Sequence, residues 1–179
     1  MTNSTWTILH SLPPAGSDYT NSNRWNSGVP TGNDTAFFVK SSVTNIDIPT
    51  VIDIGEWFFD TTPEQYSFTL ELNAAASFRG AGILVNGGGC NIDVKGSSAH
   101  VLFYNNSTAG SALITIESKI GDSLDFRDLS TAGSANIINM GTVHFSESSN
   151  CSELCHSHTG RRKDVLQQLL QWCQCAAQY

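Results

Sequence analysis

The chain has 179 residues, 16 of them acidic and 9 basic, which gives a formal net charge of −7 at pH 7. This balance argues against nonspecific nucleic-acid binding, which needs clustered Lys and Arg to neutralise phosphates. No apolar run reaches the roughly 18 residues that a membrane helix requires, so we expect no membrane insertion. Residues 1–6 lack the basic and apolar segments of a signal peptide, so we expect a chain that is cytosolic, mature or cut from a larger protein.

The composition changes abruptly after Ser149. Residues 1–149 contain 14 acidic residues, 6 basic residues and one cysteine. Residues 150–179 contain 2 acidic residues, 3 basic residues and four cysteines. Low overall charge and abundant Ser, Thr, Asn and Gly favour strands and turns over helices. We divide the chain into an N-terminal cap segment at 1–34, solenoid coils at 35–149 and an atypical tail at 150–179.

Short segments of strand length begin after residue 34. Apolar and polar residues alternate clearly from Tyr66 to Leu72, as in a strand with one buried face. Similar segments are Thr35–Val39, Thr44–Ile48, Val51–Ile54, Trp57–Phe59, Gly82–Val85, Leu113–Ile116, Ser123–Phe126, Asn136–Ile138 and Thr142–Phe145. Glycines such as Gly121 and Gly141 separate them and predict turns.

A repeated segment predicts the architecture. Phe103–Ala112 recurs as Phe126–Ala135, and a third copy begins at Phe145, so the copies start at positions 103, 126 and 145. A unit of about 20 residues cannot bury its own apolar face, so neighbouring units must stack. The sequence therefore predicts an all-β parallel β-solenoid with inward ladders of apolar residues. Residues 1–34, which contain Trp6 and Trp25, are expected to cap the exposed edge of its first coil.

The order of several short motifs resembles the passenger region of bacterial autotransporters, over about residues 5–149. The motifs are Trp6, Asn23-Arg-Trp25, Val29–Phe37, Ile54–Asp60, Tyr66-Ser-Phe68, Phe78–Ile83 and the Ser-Thr-Ala-Gly-Ser-Ala repeats. The resemblance implies a right-handed parallel β-helix at the cell surface or secreted. Passengers of this family are exported by a signal peptide and an outer-membrane barrel, neither of which we expect in this chain. They include adhesins, proteases and lipases, so the resemblance implies location rather than activity.

The tail at 150–179 contains zinc-type ligands and a helical pattern. The ligands match no standard pair of zinc knuckles in their spacing, so the sequence does not predict a metal site there. They are Cys151, Cys155, His156, His158, Cys173 and Cys175. Between Asp164 and Ala176, residues Val165, Leu169 and Trp172 fall on one helical face. This pattern suggests an amphipathic helix that caps the last coil or pairs with another chain.

A shift of reading frame explains the same tail better. Trp172 has the single codon TGG, and the codon of Cys173 begins with T. Reading one nucleotide forward therefore gives a glycine codon at position 172. In that frame residues 165–172 permit Phe-Phe-Asn-Asn-Ser-Ser-Asn-Gly, which parallels Phe103–Gly110. The next corner serine then falls at position 169, and its interval from Ser149 lies within the spacing of the repeat. The coding DNA tests this interpretation directly.

The sequence contains no recognised catalytic motif: Gly-x-Ser-x-Gly, the phosphate-binding loop and His-Glu-x-x-His are all missing from it. Asp122, Asp125 and Asp128 could attract Ca²⁺ or a sugar, but their spacing fits a solvated acidic face better. Glu56 and Asp60 flank the aromatic run 57–59 and could form a sugar-binding platform. We favour a strand with buried aromatic residues there.

His100 and His144 lie on or beside strands without an evident Ser or Cys partner, and we expect surface or packing roles for them.

The sequence predicts no catalytic, cofactor-binding or metal-binding residue and no cofactor. The favoured hypothesis is a non-enzymatic structural or adhesive fragment of an autotransporter-like surface passenger. Its partners would be host or environmental glycans or surface proteins, and its exposed solenoid edge predicts self-association. The alternative is a carbohydrate-active β-helix enzyme or a polysaccharide-binding module.

Overall fold

The computed structural model describes residues 2–6, 17–61, 64–117, 120–151 and 155–157. Within them the chain forms thirteen strands and one short 3-10 helix, Ser22–Arg24. The strands are β1 (Asn3–Trp6), β2 (Thr35–Phe38), β3 (Asn45–Ile48), β4 (Val51–Phe59), β5 (Gln65–Leu70), β6 (Ala75–Val85), β7 (Gly89–Val94), β8 (His100–Phe103), β9 (Leu113–Ile116), β10 (Ser123–Phe126), β11 (Asn136–Asn139), β12 (Thr142–Phe145) and β13 (Cys155–Ser157). In this described part, no helix has the length and apolar character needed to cross a membrane.

The strands form two parallel sheets. Sheet A has the order β1-β2-β4-β6-β8-β10-β12, and sheet B has the order β3-β5-β7-β9-β11-β13. From β2 onward, consecutive strands alternate between the two sheets, so each pair of strands completes one coil. The chain therefore winds as a parallel β-solenoid of about 5 turns. This arrangement confirms the all-β solenoid that the repeat predicts.

The register of the coils equals the spacing of the sequence repeat. His100 pairs with Ser123 at the same interval that separates Phe103 from Phe126. Ser123 pairs with Thr142 at the interval that separates Phe126 from Phe145. A third line of contacts runs through isolated parallel bridges, which join the corners of successive coils at Gly82, Thr108 and Thr131. Side chains at equivalent positions of the repeat consequently lie above one another in neighbouring coils. Their spacing is that of neighbouring strands, about 4.8 Å.

Stacked rings fill one side of the interior. The phenylalanines of β6, β8, β10 and β12 form a ladder of Phe78, Phe103, Phe126 and Phe145. Neighbouring ring centroids are 4.9, 5.0 and 4.7 Å apart, with interplanar angles of 10, 8 and 5°. Sheet B contributes a column of fully buried isoleucines, Ile92, Ile114 and Ile137. The alternating burial of strands such as β5 and β9 follows from the two-residue period of β-structure.

The corners of the coils explain the small residues of the repeat. Ala109 and Ala132 are fully buried where the chain turns between the sheets. Gly110 and Gly133 follow them with φ of 59° and 58°, a left-handed conformation that glycine adopts at low cost. An ideal Cβ on Gly110 would clash with the main-chain oxygen of Ile83 in the preceding coil. Small residues are therefore required at this corner.

An aromatic cluster closes the N-terminal end of the solenoid. Strand β1 pairs with β2, and the backbone amide of Tyr19 donates to the carbonyl of Asp47 in β3, so the N-terminal segment contacts both sheets. The rings of Trp6 and Tyr19 each lie edge-on to Trp25, at 5.1 and 5.0 Å between centroids. The Trp25 indole N–H donates to the Tyr19 carbonyl at 2.8 Å. All three rings are buried.

Parallel pairing continues beyond Ser149. Asn150 bridges to Thr131, and β13 pairs with β11 so that Cys155 lies opposite Asn136. The interval between Asn136 and Cys155 equals the one between Ser123 and Thr142 in sheet A. The register of the preceding coil therefore extends into the tail.

Candidate interaction surface

The outer side of sheet A carries the most varied chemistry of the solenoid. Residues that alternate with the buried phenylalanines point away from the core, and parallel register sets them in rows. One row contains Ser77, Leu102, Asp125 and His144. Two residues further along the same coils stand Arg79, Tyr104 and Arg127. We call these last three residues the Arg–Tyr–Arg stack.

In the Arg–Tyr–Arg stack, two guanidinium groups contact one tyrosine ring. The Cζ of Arg79 lies 4.4 Å from the centroid of Tyr104, and that of Arg127 lies 5.7 Å from it. Because these arginines belong to the coils before and after Tyr104, the ring contacts side chains of both neighbouring coils. Each contact at an exposed site is worth about 0.5–1 kcal/mol.

Carboxylates flank both arginines. Arg79 Nε donates to Asp53 Oδ1 at 2.7 Å, and Arg127 lies 3.8 Å from Asp125 Oδ1. The arginine side chains remain 44% and 46% exposed, so part of each guanidinium fork faces solvent. The surface thus offers hydrogen-bond donors beside acceptors, and it can make directional polar contacts with a partner.

His100, Ser123 and Asp125 form a hydrogen-bonded chain beside the stack. His100 Nδ1 is 2.9 Å from Ser123 Oγ, and that hydroxyl donates to Asp125 Oδ2 at 2.5 Å. A nucleophilic triad needs the histidine between serine and carboxylate, so that the ring takes the hydroxyl proton. Here the serine occupies the middle position, and its hydroxyl donates a hydrogen bond to Asp125. The arrangement therefore orders side chains rather than activating a nucleophile.

Sequence reasoning missed the contact between His100 and Ser123. The signal for it is the repeat itself, because the interval from Phe103 to Phe126 also relates position 100 to position 123. His144 is exposed on β12, directly opposite Asp125 in register. The exposure of His144 agrees with the surface or packing role expected of both histidines, and His100 is part of a polar network.

The three aspartates of the 122–128 segment do not share a site. Asp122 Oδ1 accepts from the Ala99 amide at 3.1 Å, and Asp128 Oδ2 accepts from the Asn105 amide at 2.7 Å. Asp122 and Asp125 are only 1% and 9% exposed. The expectation of a solvated acidic face is therefore wrong for these two residues. Their side chains are enclosed by neighbouring coils, which the spacing of charges along one strand does not reveal.

At one corner of the solenoid, acidic side chains form hydrogen bonds from one coil to the next. Asn105, Asp128 and Glu147 occupy the same corner in successive coils, with φ of 55, 57 and 61°. The side chain of each later residue accepts from the amide of the earlier one, at 2.7 Å from Asn105 to Asp128 and 2.7 Å from Asp128 to Glu147. Hydrogen bonds to a charged acceptor contribute about 1.5–3 kcal/mol when they are well shielded and less at exposed corners such as this one.

The aromatic run on β4 is split between the two sides of the sheet. Trp57 and Phe59 are buried, as expected. Phe58 points outward instead, with its ring centroid 5.3 Å from that of Phe37 and its position opposite Leu84. Glu56 lies in the neighbouring outward position and accepts from the Thr35 hydroxyl at 3.1 Å. A small aromatic surface beside one carboxylate results.

Several ionisable groups are perturbed by their surroundings. Burial raises the pKa of the Cys90 thiol and of the Tyr19 phenol far above their ordinary values. Burial also raises the pKa of Tyr66 to about 12, with an added contribution from the charge of Glu64 and an opposing hydrogen bond from Ser41. Hydrogen bonds from the amides of Thr2 and Thr31 lower the pKa of Asp34. The Cys90 thiol is thus neutral and enclosed, which makes it a packing residue.

The tail hypotheses concern residues that lie mostly outside the described part of the chain. Cys151 is half-buried, and the backbone of Cys155 and His156 belongs to β13. The positions of His158, Cys173 and Cys175 and the stretch Asp164–Ala176 lie outside it. Among the described residues, no group of three or more His, Cys, Asp or Glu could hold a metal ion. The amphipathic helix and the frameshift therefore stay predictions, and the zinc site, which the sequence does not favour, stays untested.

Comparisons with known proteins found no match for this chain. The chain matches no protein-family model, and neither a curated protein nor a solved structure is significantly similar to it. The solenoid architecture rests on the strand pairing, and the autotransporter resemblance rests on the order of motifs in the sequence.

Proposed function

We propose that the protein is a non-enzymatic structural or adhesive part of an autotransporter-like surface passenger, coiled as a right-handed β-helix. The observation that carries this proposal is the continuous stacking of its coils. The ladder from Phe78 to Phe145 fills the core, and acids such as Asp122 and Asp128 bind backbone amides of the preceding coil. A solenoid of this kind is an extended stack of coils, and it can present a continuous surface along its length.

The Arg–Tyr–Arg stack is the surface that we assign to adhesion. Its side chains are held by each other and by Asp53 and Asp125, so little conformational entropy is lost when a partner binds. Arginine beside tyrosine is also a common composition of binding hot spots. Glycans and surface proteins both offer the hydroxyl, carboxylate and carbonyl groups that such a surface can bind.

The second candidate function is a polysaccharide-binding module, favoured by the outward rings of Phe37 and Phe58 beside Glu56. Hydrolysis at this place has less support. Glu56 and Asp60 are four residues apart, which is about 13 Å along an extended strand. The carboxylates of glycosidases lie only about 5–9.5 Å apart. Asp60 Oδ1 also accepts from the Thr61 amide at 2.7 Å, so it is engaged locally.

A glycan array combined with an assay for released sugar tests the proposal. We expect binding without products, and a loss of at least about tenfold in affinity for the double variant R79A/R127A. The matched control is L72A, which removes an exposed apolar side chain at another corner. Selective loss of binding in F37A/F58A would favour the polysaccharide module instead. Turnover of any polysaccharide would refute the non-enzymatic assignment. Binding to neither glycans nor surface proteins would refute adhesion.

A further inference from the structure

The corner between β6 and β7 contains the dipeptide Asn86-Gly87 in an exposed bend. Within the described part of the chain, neither the Asn86 side chain nor the Gly87 amide forms a hydrogen bond. Glycine adds no side chain that would shield its own nitrogen. Among the described residues, the amide nitrogen of Gly87 and the side-chain carbonyl of Asn86 therefore both lack a hydrogen-bond partner.

Glycine is required at position 87 by the packing of the coils. An ideal Cβ there would lie 2.9 Å from Thr61 Cα in the preceding coil, closer than packed carbon atoms approach. The fold consequently keeps the least hindered residue directly after an exposed asparagine. This combination is the one that favours cyclisation of an asparagine side chain onto the backbone.

We propose that Asn86 is a self-modification site that converts to aspartate and isoaspartate in the folded protein. The Gly87 nitrogen loses its proton to solvent and forms a bond with Asn86 Cγ, and the bond from Cγ to Nδ2 breaks. The departing nitrogen gains a proton and leaves as ammonia. Water then opens the resulting succinimide: attack at Cγ gives aspartate, and attack at the main-chain carbonyl gives isoaspartate. No oxidant or reductant takes part, and water is the only co-reactant.

Isoaspartate would disturb the solenoid because its main chain runs through the side-chain carbon and is one atom longer. Two hydrogen bonds hold this corner against the preceding coil. The backbone amide of Asn86 donates to the Phe59 carbonyl at 3.0 Å, and the backbone amide of Gly89 donates to the Glu64 carbonyl at 3.2 Å. Lengthening the corner between these anchors cannot preserve both. Ordinary aspartate at this position, with an unchanged main chain, retains them.

The same tryptic peptide contains an internal control. Cleavage after Arg79 and Lys95 releases residues 80–95, which include Asn91 as well as Asn86. Asn91 lies within β7, precedes the β-branched Ile92, and its Oδ1 accepts from Gln65 Nε2 at 2.9 Å. Both asparagines experience the same buffer and digestion, so their difference reports local structure.

The experiment incubates the full chain in mildly alkaline water enriched in heavy oxygen and analyses that peptide by mass spectrometry. We expect Asn86 to take up one heavy oxygen as its amide becomes a carboxyl group, with both aspartate and isoaspartate formed. We expect Asn91 to react more slowly by an order of magnitude or more, and the variant N86Q to stay unmodified at position 86. The proposal would be overturned if Asn86 reacted slower by an order of magnitude in the folded chain than in denaturant. Equal reaction rates at Asn86 and Asn91 would also overturn it.

A second measurement tests the structural consequence. The isoaspartyl form, separated from the parent, should unfold at a lower temperature, and the backbone amide hydrogens at positions 86 and 89 should exchange faster. The variant N86D carries the same added charge on a normal main chain and should behave like the parent. Equal destabilisation of N86D and the isoaspartyl form would overturn the lengthened-corner argument, because charge alone would then account for it.

Discussion

Replacement of Phe103 by alanine tests the core of the solenoid. The ring is fully buried and stacks on Phe78 at 4.9 Å and on Phe126 at 5.0 Å. Truncation of a buried phenylalanine to alanine typically costs about 3–5 kcal/mol. We expect F103A to lie in that range, because the ladder is held on both sides by neighbouring coils and cannot collapse into the cavity. Against a total stability of about 5–15 kcal/mol, this loss is large.

The matched control is F145A, which removes the half-buried ring at the last described rung of the same ladder. We expect its cost to be clearly smaller, because less apolar area leaves water when that ring packs. Equilibrium unfolding in urea, followed by circular dichroism, gives both free energies of unfolding. A cost for F103A below about 1 kcal/mol, or equal to that of F145A, would refute the stacked-ladder account.

Further predictions concern glycine, pH and association. G82A should destabilise by at least about 2 kcal/mol, because Gly82 has φ of 89° and a Cβ there would clash with the Thr108 carbonyl oxygen. G28A, at a similar φ of 87° with nothing within 4 Å, is its control, and an equal cost in urea titrations would contradict the steric argument. Stability should fall above pH 10, because Tyr66 loses its proton near its ordinary pKa of 10.0 in the unfolded chain but only at about 12 in the folded one. A Y66F variant with an unchanged alkaline slope would disprove that source. Since the pKa of Asp34 is lowered from 3.8 by folding, its contribution is present above that pH and is lost as the pH falls through the folded value; D34N should flatten the acid limb of the stability curve. Light scattering should show molecular mass rising with concentration through edge-to-edge association, and a concentration-independent monomer would contradict it.

The repeat was sufficient to predict a parallel β-solenoid, but not every strand of it. Because Phe103 and Phe126 occupy equal places in parallel coils, the interval between them is also the register of β8 and β10. Strand β1 could not be predicted in the same way. It pairs with β2 so that Asn3 lies opposite Thr35, across a longer interval than the repeat and without sequence similarity between the two strands.

The candidate surface was harder to predict than the fold. The Arg–Tyr–Arg stack joins residues of three successive coils, and arginine and tyrosine are too different to be recognised as members of one repeat position. The burial of Asp122 depends on how the corner turns relative to Ala99 in the preceding coil. Local charge spacing contains no information on that turn, so the acid was expected at the surface.

The most direct test of the stacked-coil account is a backbone nuclear Overhauser experiment on the isotope-labelled chain. Parallel register predicts cross-strand contacts that place His100 opposite Ser123 and Ser123 opposite Thr142. Cross-strand contacts with the opposite polarity, or a register that pairs other residues with Ser123, would contradict the solenoid on which the adhesive surface depends.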